Sequence, residues 1–497
     1  MRKKKLIYNT LSSLGDQLIT LICGFILPRV ILGRFGSEVN GLVNSITQFL
    51  QIIAFLDLGV GAVVQSSLYK PLAEGDAQRT SAIMASASRF FRRIALILVG
   101  YTAALMLVYP RINGQAYGYG YVSSLILVMS ITFFAQYYYG MTDKLLLMAD
   151  QRGYIYHIIQ AASHIGNTAA SVALIQMGAG IHVVRLTTSL IYLLRPLLLR
   201  WYVNRHYKLD RRAAYEGEPI AQKWNGFAQH ISAIVLDNTD TAVLTVFSTL
   251  TNVSIYGVYH LVIYGIKTLF TTLCGGIQSL WGDMWAKGET EKLTKAFNLV
   301  EWLIHMAAVF LFGCTAMLIV PFVRVYTLGI TDADYIVPAF ALLITIAHGL
   351  HCVRLPYHIL IKAAGHYKQT QHSYTVATVM NIVISIVTVK LWGLVGVAIG
   401  TLAAMLFQTG WMLRYDNQNL IRRPLREIVR LILCDVICCG AGYAATFALS
   451  MNRVSYGAWF LLAVETAALW LAVLAVVNVV FYRHHLTTLF SLLRRRR

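Results

Sequence analysis

Acidic residues are scarce in this chain. Of 497 residues only 22 are Asp or Glu, against 42 Lys and Arg, and all charged residues together make up 13%. Soluble globular domains carry about 25% charge. With 57% hydrophobic residues and a mean hydropathy of +0.60, that class is excluded. No Gly-x4-Gly-Lys-Ser/Thr phosphate loop occurs, so the chain does not itself hydrolyse ATP, and no His-Glu-x-x-His zinc motif occurs either. Loops stay below about 25 residues, which leaves little room for a soluble catalytic domain. The seven cysteines (Cys23, Cys274, Cys314, Cys352, Cys434, Cys438 and Cys439) all fall in apolar segments. They show neither metal-ligand spacing nor a secreted disulfide framework, and read as small packing residues. Strand alternation is missing too, because the apolar stretches are longer and more uniform than barrel strands of about ten residues.

What is present is a series of apolar runs, each long enough to cross a hydrocarbon core of roughly 30 Å. We count about fourteen by apolar length and flanking charge. They lie near 11–33, 40–66, 94–112, 121–143, 156–178, 181–203, 226–249, 253–280, 299–323, 336–360, 372–391, 394–415, 428–450 and 456–482. The sequence therefore predicts an all-α integral membrane protein. Its net charge of +20 would suit nucleic acid, but the distribution argues otherwise. Basic residues cluster at both termini and in alternate loops: Arg2-Lys3-Lys4-Lys5, Arg89 with Arg92-Arg93, Arg205 to Arg212, Arg422-Arg423-Arg426 and Arg494 to Arg497. The intervening loops hold scattered cations such as Arg111 and Arg453. This is the positive-inside pattern. With an even span count it puts both termini in the cytoplasm and brings the basic loops against anionic lipids. The N-terminal stretch resembles a signal peptide, but Pro28-Arg29 stands where a cleavage site would lie, so an uncleaved first helix is expected. Pro28, Pro196, Pro321, Pro338 and Pro356 fall within or beside helices, where bends often mark a pathway.

The chain also repeats itself weakly. Ala73-Glu74-Gly75-Asp76 recurs as Ala286-Lys287-Gly288-Glu289, about 213 residues later. Val39-Asn40-Gly41 corresponds to Ile255-Tyr256-Gly257, Gly59 to Gly275, Gly153 to Gly365, Asn167 to Asn381, and Gly180–Thr188 to Gly393–Thr401. In order and at a near-constant offset, these matches predict two six-helix bundles of like orientation, a parallel repeat about the membrane normal. The expected domains are a first bundle over 1–203, a basic linker over 204–225, a second bundle over 226–415, and two further spans with a basic tail over 416–497.

Several motifs fall in the same order as in a known family. They are Arg29-Val30-Ile31-Leu32-Gly33, the Gly36–Gly41 turn, Asp57-Leu58-Gly59, Asp237-Asn238-Thr239-Asp240 and Ile255-Tyr256-Gly257-Val258-Tyr259. With these, residues 6–415 resemble the bacterial polysaccharide or O-antigen flippases of the multidrug/oligosaccharidyl-lipid/polysaccharide exporter superfamily. The resemblance implies a V-shaped two-bundle transporter with a central cavity, in the bacterial cytoplasmic membrane. Its cargo would be an undecaprenyl-pyrophosphate-linked oligosaccharide, moved to the outer leaflet for polysaccharide biosynthesis by alternating access. It implies no enzyme activity and no cofactor, and polysaccharide-assembly membrane proteins as partners. A cation-coupled multidrug antiporter of the same fold is the alternative, and a membrane glycosyltransferase or polymerase a more distant one.

A sugar–pyrophosphate headgroup loses its hydration in hydrocarbon, so a carrier needs a wet, cationic path. The substrate-binding candidates are Arg29, Lys267, Arg195 and Arg354. Lys267 lies near the middle of its span, too deep to snorkel easily; it either lines a cavity or pairs with Asp237 or Asp240. For Arg29, near the outer end of the first span, snorkelling is the rival reading. Arg195 and Arg354 either touch substrate or anchor at the inner interface. Asp237 and Asp240 share one helix face and are the ion-coupling candidates; hydrogen bonding to Asn238, Thr239 or a neighbouring helix is the alternative. Asp57 reads as structural at a helix end, and Asp16 with Gln17 is expected to face the cavity without a nameable partner. His348, His351, Arg354 and His358 trace one helix stripe, either facing phosphate or making ordinary helix contacts; no acid or cysteine joins them at zinc-like spacing. Tyr137-Tyr138-Tyr139 read as interface anchors rather than a sugar-stacking platform.

Overall fold

The computed structural model describes residues 2–57, 60–113, 117–211, 213, 227–274 and 277–486. The Arg494–Arg497 tail, most of the basic linker, Gly59, Gly275 and the side chains of Asp57 and Asp237 lie outside the described residues. Seventeen α-helices follow in order: α1 Arg2–Gln51, α2 Val60–Glu74, α3 Ala77–Asn113, α4 Tyr119–Ala135, α5 Met141–Ala149, α6 Gly153–Gln176, α7 Ile181–His206, α8 Phe227–Phe247, α9 Leu250–Cys274, α10 Ile277–Ala286, α11 Thr290–Tyr326, α12 Pro338–Val353, α13 Leu355–Ala363, α14 Tyr367–Trp392, α15 Leu394–Asn419, α16 Leu425–Thr446 and α17 Tyr456–Phe481. Among the described residues there is no strand.

Among the described residues, twelve helical segments are long and apolar enough to cross a membrane. The first, Ile7–Gln51, is broken at Gly36, whose φ of 81° and ψ of 176° no helix accommodates and which a side chain would resist. The sequence reading expects about fourteen spans; the two arms of α1 count here as one segment, and the 21-residue α8 is not among the twelve. The second span ends earlier than the expected 40–66. Helix α1 stops at Gln51, a 3₁₀ turn covers Ile52–Asp57, and α2 starts afresh. Tyr101 donates its hydroxyl to the Phe49 carbonyl (2.8 Å), satisfying one backbone acceptor freed where α1 stops. Along α14, Val379, Val383, Val387 and Leu391 form an exposed stripe, and α17 exposes Phe460, Val464, Leu471, Val476 and Val480. Apolar rows of this length suit lipid rather than water.

Helices α3 and α11 are both 37 residues long and begin 213 residues apart, at Ala77 and Thr290. Helices α7 and α15, both of 26 residues, start at the same offset, at Ile181 and Leu394. The 213-residue offset read in the sequence is thus also an offset between helices of equal length.

By internal packing the chain divides into Met1–Ser254 and Ile255–Arg497. In the first half, Ile31, Leu42, Ile46, Tyr109, Leu125 and Val184 form one apolar core, and Val64, Leu68, Phe91, Leu146 and Val203 another. Helix α8 belongs here. Thr245 shares a hydrogen bond with Ser45 (2.7 Å), to which Tyr109 also donates, and Asn40 donates to Ser254 (2.8 Å). At one end of this half Lys5, Arg152 and the Tyr207 hydroxyl converge on Asp150. Burial, and then the hydrogen bond and charge of Asp150, hold the Tyr207 phenol above its ordinary pKa. Arg211, from the basic stretch after α7, binds the fully buried carboxylate of Asp143 (2.9 Å). Basic segments far apart in sequence therefore share one end of the bundle.

In the second half, Phe270, Trp281, Phe297, Leu360 and Met412 form the core, while α16 and α17 pack on α11 through Cys434, Cys438, Trp470 and Leu474. Helices α14 and α15 cross closely at Gly396 and Gly400, a Gly-x-x-x-Gly pair. A Cβ on Gly396 would lie 2.2 Å from the Thr388 carbonyl oxygen. Gly396→Ala is expected to cost about 3 kcal/mol, the upper range for overpacking. A lowered thermal-aggregation midpoint in detergent would register it. Gly410→Ala on the same helix, where a Cβ meets open space, leaves the midpoint unchanged.

Candidate functional site

Each half carries a polar group of side chains inside its apolar packing. In the first half, α1 contributes Asp16, which is buried. Helix α6 presents His157, His164, Asn167 and Ser171, and α7 presents Arg185, Tyr192 and Arg195, at helical spacings that put each set on one face. Asp16 Oδ2 lies 2.9 Å from His157 Nδ1, so the acid for which the sequence offers no partner has one 141 residues away. Asn167 donates to the Tyr192 hydroxyl (3.3 Å), which also meets His164 Nδ1 (3.2 Å). The Arg195 guanidinium lies over the Tyr192 ring at 3.8 Å, a cation–π contact. Arg195 Nε and Nη2, Arg185 Nε and Asp16 Oδ1 are buried without a hydrogen-bond partner among the described residues. Buried donors of this kind are uncommon and call for an explanation. Arg29 stands apart from this group. It is half-buried and lies thirteen residues beyond Asp16 on α1, about 20 Å along the axis. Its guanidinium folds against Gly33 of its own helix.

In the second half, α9 supplies His260 and Lys267, α12 supplies His348 and His351, and α13 supplies His358 and Lys362. Arg354 is buried at the junction of α12 and α13, where Pro356, lacking an N–H, interrupts the helix. The expected stripe therefore bends, with His348 and His351 before the break and His358 after it. Arg354 Nη2 donates to His351 Nδ1 (2.7 Å); a guanidinium only donates, so the ring proton of His351 sits on Nε2. The His260 and His348 rings are 6.0 Å apart, and those of His348 and His351 6.5 Å. The charge of half-buried Lys267 acts on His348, His351 and Cys352. Among the described residues no carboxylate acts on His348, His351 or His358; every charged neighbour is cationic. Both ring nitrogens of His348 and Nε2 of His358 are buried without hydrogen-bond partners among the described residues.

The structure thus brings Lys267 and Arg354 together through the histidines, and gives Arg195 a separate aromatic setting. Asp240 is buried on α8; the side chain of Asp237 lies outside the described residues. Tyr137 differs from its expected anchoring role. The tyrosine run forms a π-helical turn, and Tyr137 is buried against Phe91. Tyr138 and Tyr139 instead lie under Arg92 and Arg200, as interface tyrosines do.

Three buried pairs escape the sequence reading. Glu301 of α11 binds Arg423 and accepts from the Tyr357 hydroxyl (2.6 Å). His305 of α11 meets Asp435 of α16 (2.6 Å). The third is Asp143 with Arg211. Ionisable residues inside apolar spans were the available signal, but their partners lie 68 to 130 residues away. Among the described residues no three His, Cys, Asp or Glu side chains gather as a metal-binding group.

No family model matches the sequence, and no curated protein matches it. Solved structures do. A lipid II flippase MurJ in an inward closed conformation aligns with a TM-score of 0.71 at 14% identity, over 96% of this chain and 99% of that one. An inward-facing multidrug resistance MATE family transporter of the MOP superfamily gives 0.59 at 16%, over 80% and 94%. A MOP superfamily transporter from Pyrococcus furiosus Vc1, described by the reverse polarity of its binding pocket, gives 0.56 at 15%, over 84% and 96%. Likeness at these identities speaks to architecture rather than cargo. The all-helical order and superposition over 80–96% of this chain agree: this chain has the fold of the MOP superfamily transporters.

Proposed function

We propose that this protein is a transporter, not an enzyme, that flips a lipid-linked oligosaccharide across the cytoplasmic membrane for polysaccharide biosynthesis. The cargo would be an undecaprenyl-pyrophosphate-linked glycan, carried by alternating access. One observation supports the reading: the charges of Lys267 and Arg354 act on His348 and His351, and among the described residues no carboxylate acts on those two histidines or on His358. A pyrophosphate leaving water needs compensating positive charge, and a cationic drug would be repelled there. Arg195, with two unpartnered donors, offers the first half a similar contact. In this reading Arg29, Lys267, Arg195 and Arg354 bind substrate. The termini face the cytoplasm, where the basic loops meet anionic lipids.

A second reading rests on buried acids. Asp16 against His157, and Asp240 with Asp237 three residues before it, support a cation-coupled multidrug antiporter in which carboxylates take the coupling ion. The two readings part in proteoliposomes loaded with a fluorescent pyrophosphate-linked oligosaccharide or with a cationic dye. The first predicts accelerated glycan flipping and no dye transport. Dye efflux with no glycan flipping would overturn it in favour of the second.

A further inference from the structure

The second half holds a cavity that the transport reading leaves unused. It has a volume of about 380 Å³ and opens among α11, the start of α16 and the segment after α17. Glu301 and Trp302 of α11, Arg423, Arg430 of α16, and Arg483 and His485 beyond α17 line it. Glu301 is fully engaged by Arg423 and the Tyr357 hydroxyl, so its charge is spent internally. What faces the cavity is then a cationic surplus: Arg430 and Arg483 against the single carboxylate of Glu427. Side-chain contacts join the walls. Arg430 donates to the Phe481 carbonyl and lies 5.0 Å over the Tyr482 ring. His485 stacks on Trp302 at 5.4 Å, and Trp302 donates to Asn478 (2.8 Å). Arg423 Nε is buried without a hydrogen-bond partner among the described residues. Burial, and then the charges of His484 and Arg430, hold His485 below the usual imidazole range, against the opposing charge of Glu427.

Exposed apolar side chains flank the cavity on one side. Val480 both lines it and is 68% exposed, and Val476, one turn earlier on α17, is exposed on the same face. The apolar helix ends at Phe481 and basic residues begin at Arg483, so the opening lies where hydrocarbon gives way to headgroups.

We propose that this cavity binds the phosphate of an anionic membrane lipid, with Arg430 and Arg483 as its donors and the acyl chains along Val476 and Val480. Arginine forks match phosphate oxygens, and the exposed valine row distinguishes a lipid from a soluble phosphate.

Native mass spectrometry of the full chain in detergent tests this, with dioleoylphosphatidylglycerol, dioleoylphosphatidylcholine and inorganic phosphate as probes. The wild type should retain phosphatidylglycerol in preference to phosphatidylcholine. Arg483→Gln should weaken it about fivefold, and Arg430→Gln/Arg483→Gln about thirtyfold, from roughly fivefold per arginine at an anionic surface. Because Arg430 also secures the end of α17, Glu427→Gln serves as the second variant. It removes an exposed repelling carboxylate and should tighten phosphatidylglycerol binding. Equal retention of the two lipids, or unchanged binding in all three variants, overturns the site. Inorganic phosphate that displaces phosphatidylglycerol with the same arginine dependence overturns the lipid assignment.

Discussion

Glu301→Leu is expected to leave almost no folded protein. Glu301 and Arg423 are buried to within 4% and 5% side-chain exposure, in a network completed by the Tyr357 hydroxyl and the Asn298 amide oxygen. Removing the carboxylate strands a guanidinium in an apolar site, a loss of about 3–5 kcal/mol. That rivals the whole stability of a typical domain, about 5–15 kcal/mol. Tyr357 loses its acceptor at the same time. The measurement is the monodisperse fraction of a fluorescent fusion on size exclusion in mild detergent. Glu301→Leu/Arg423→Met should recover part of it, since replacing both ions by apolar groups of similar size is often near neutral. Recovery stays incomplete because buried Asp416, on which the Arg423 charge also acts, loses that neighbour. Tyr357→Phe, which deletes one hydrogen bond, costs about 1–2 kcal/mol and keeps the fold. A single variant that behaves like wild type would mean that the network contributes little to stability.

The same network marks how far the sequence could be read. Arg423 sits in the Arg422-Arg423-Arg426 group, and by spacing alone it belongs with the positive-inside loops. Nothing local to Arg423 distinguishes it from exposed Arg422 or says that it turns inward to an acid 122 residues away. The helices were legible, because apolar length and flanking charge are local properties, and the fold class followed from them; the repeat was legible in ordered residue matches such as Ala73-Glu74-Gly75-Asp76 with Ala286-Lys287-Gly288-Glu289. The His348–His358 spacing was legible for the same reason, and Lys267 stood out by its depth. Pairings were not. Asp16–His157 and His305–Asp435 join helices distant in sequence, and their register depends on packing that one helix's pattern does not encode. Tyr137 was misplaced because aromatic residues near a span end suit both an interface and a core; the π turn that directs it inward leaves no simple pattern in Gln136–Gly140.

Lys267→Glu should abolish transport. Lys267 is half-buried, and its charge acts on His348 and His351 in a region whose other nearby cation is Arg354. Two unit charges about 8 Å apart at an effective dielectric of about 20 interact by about 2 kcal/mol. Neutralising Lys267 therefore removes roughly a thirtyfold preference for each substrate charge at that distance, and reversal doubles the energy. Against a pyrophosphate, Lys267→Ala should slow flipping by at least about 30-fold and Lys267→Glu by about 1,000-fold or more. Lys267→Arg keeps the charge and should retain most activity, which separates an electrostatic role from a fitted contact. The carboxylate of Lys267→Glu would sit beside His348, His351 and Arg354, where it repels a phosphate. Glycan flipping in proteoliposomes reconstituted with the monodisperse fraction of Lys267→Glu should fall to background. Equal flipping by wild type and Lys267→Glu would remove Lys267 from the substrate path. Cationic dye transport appearing only in Lys267→Glu would instead show that polarity at this position chooses between the two kinds of cargo.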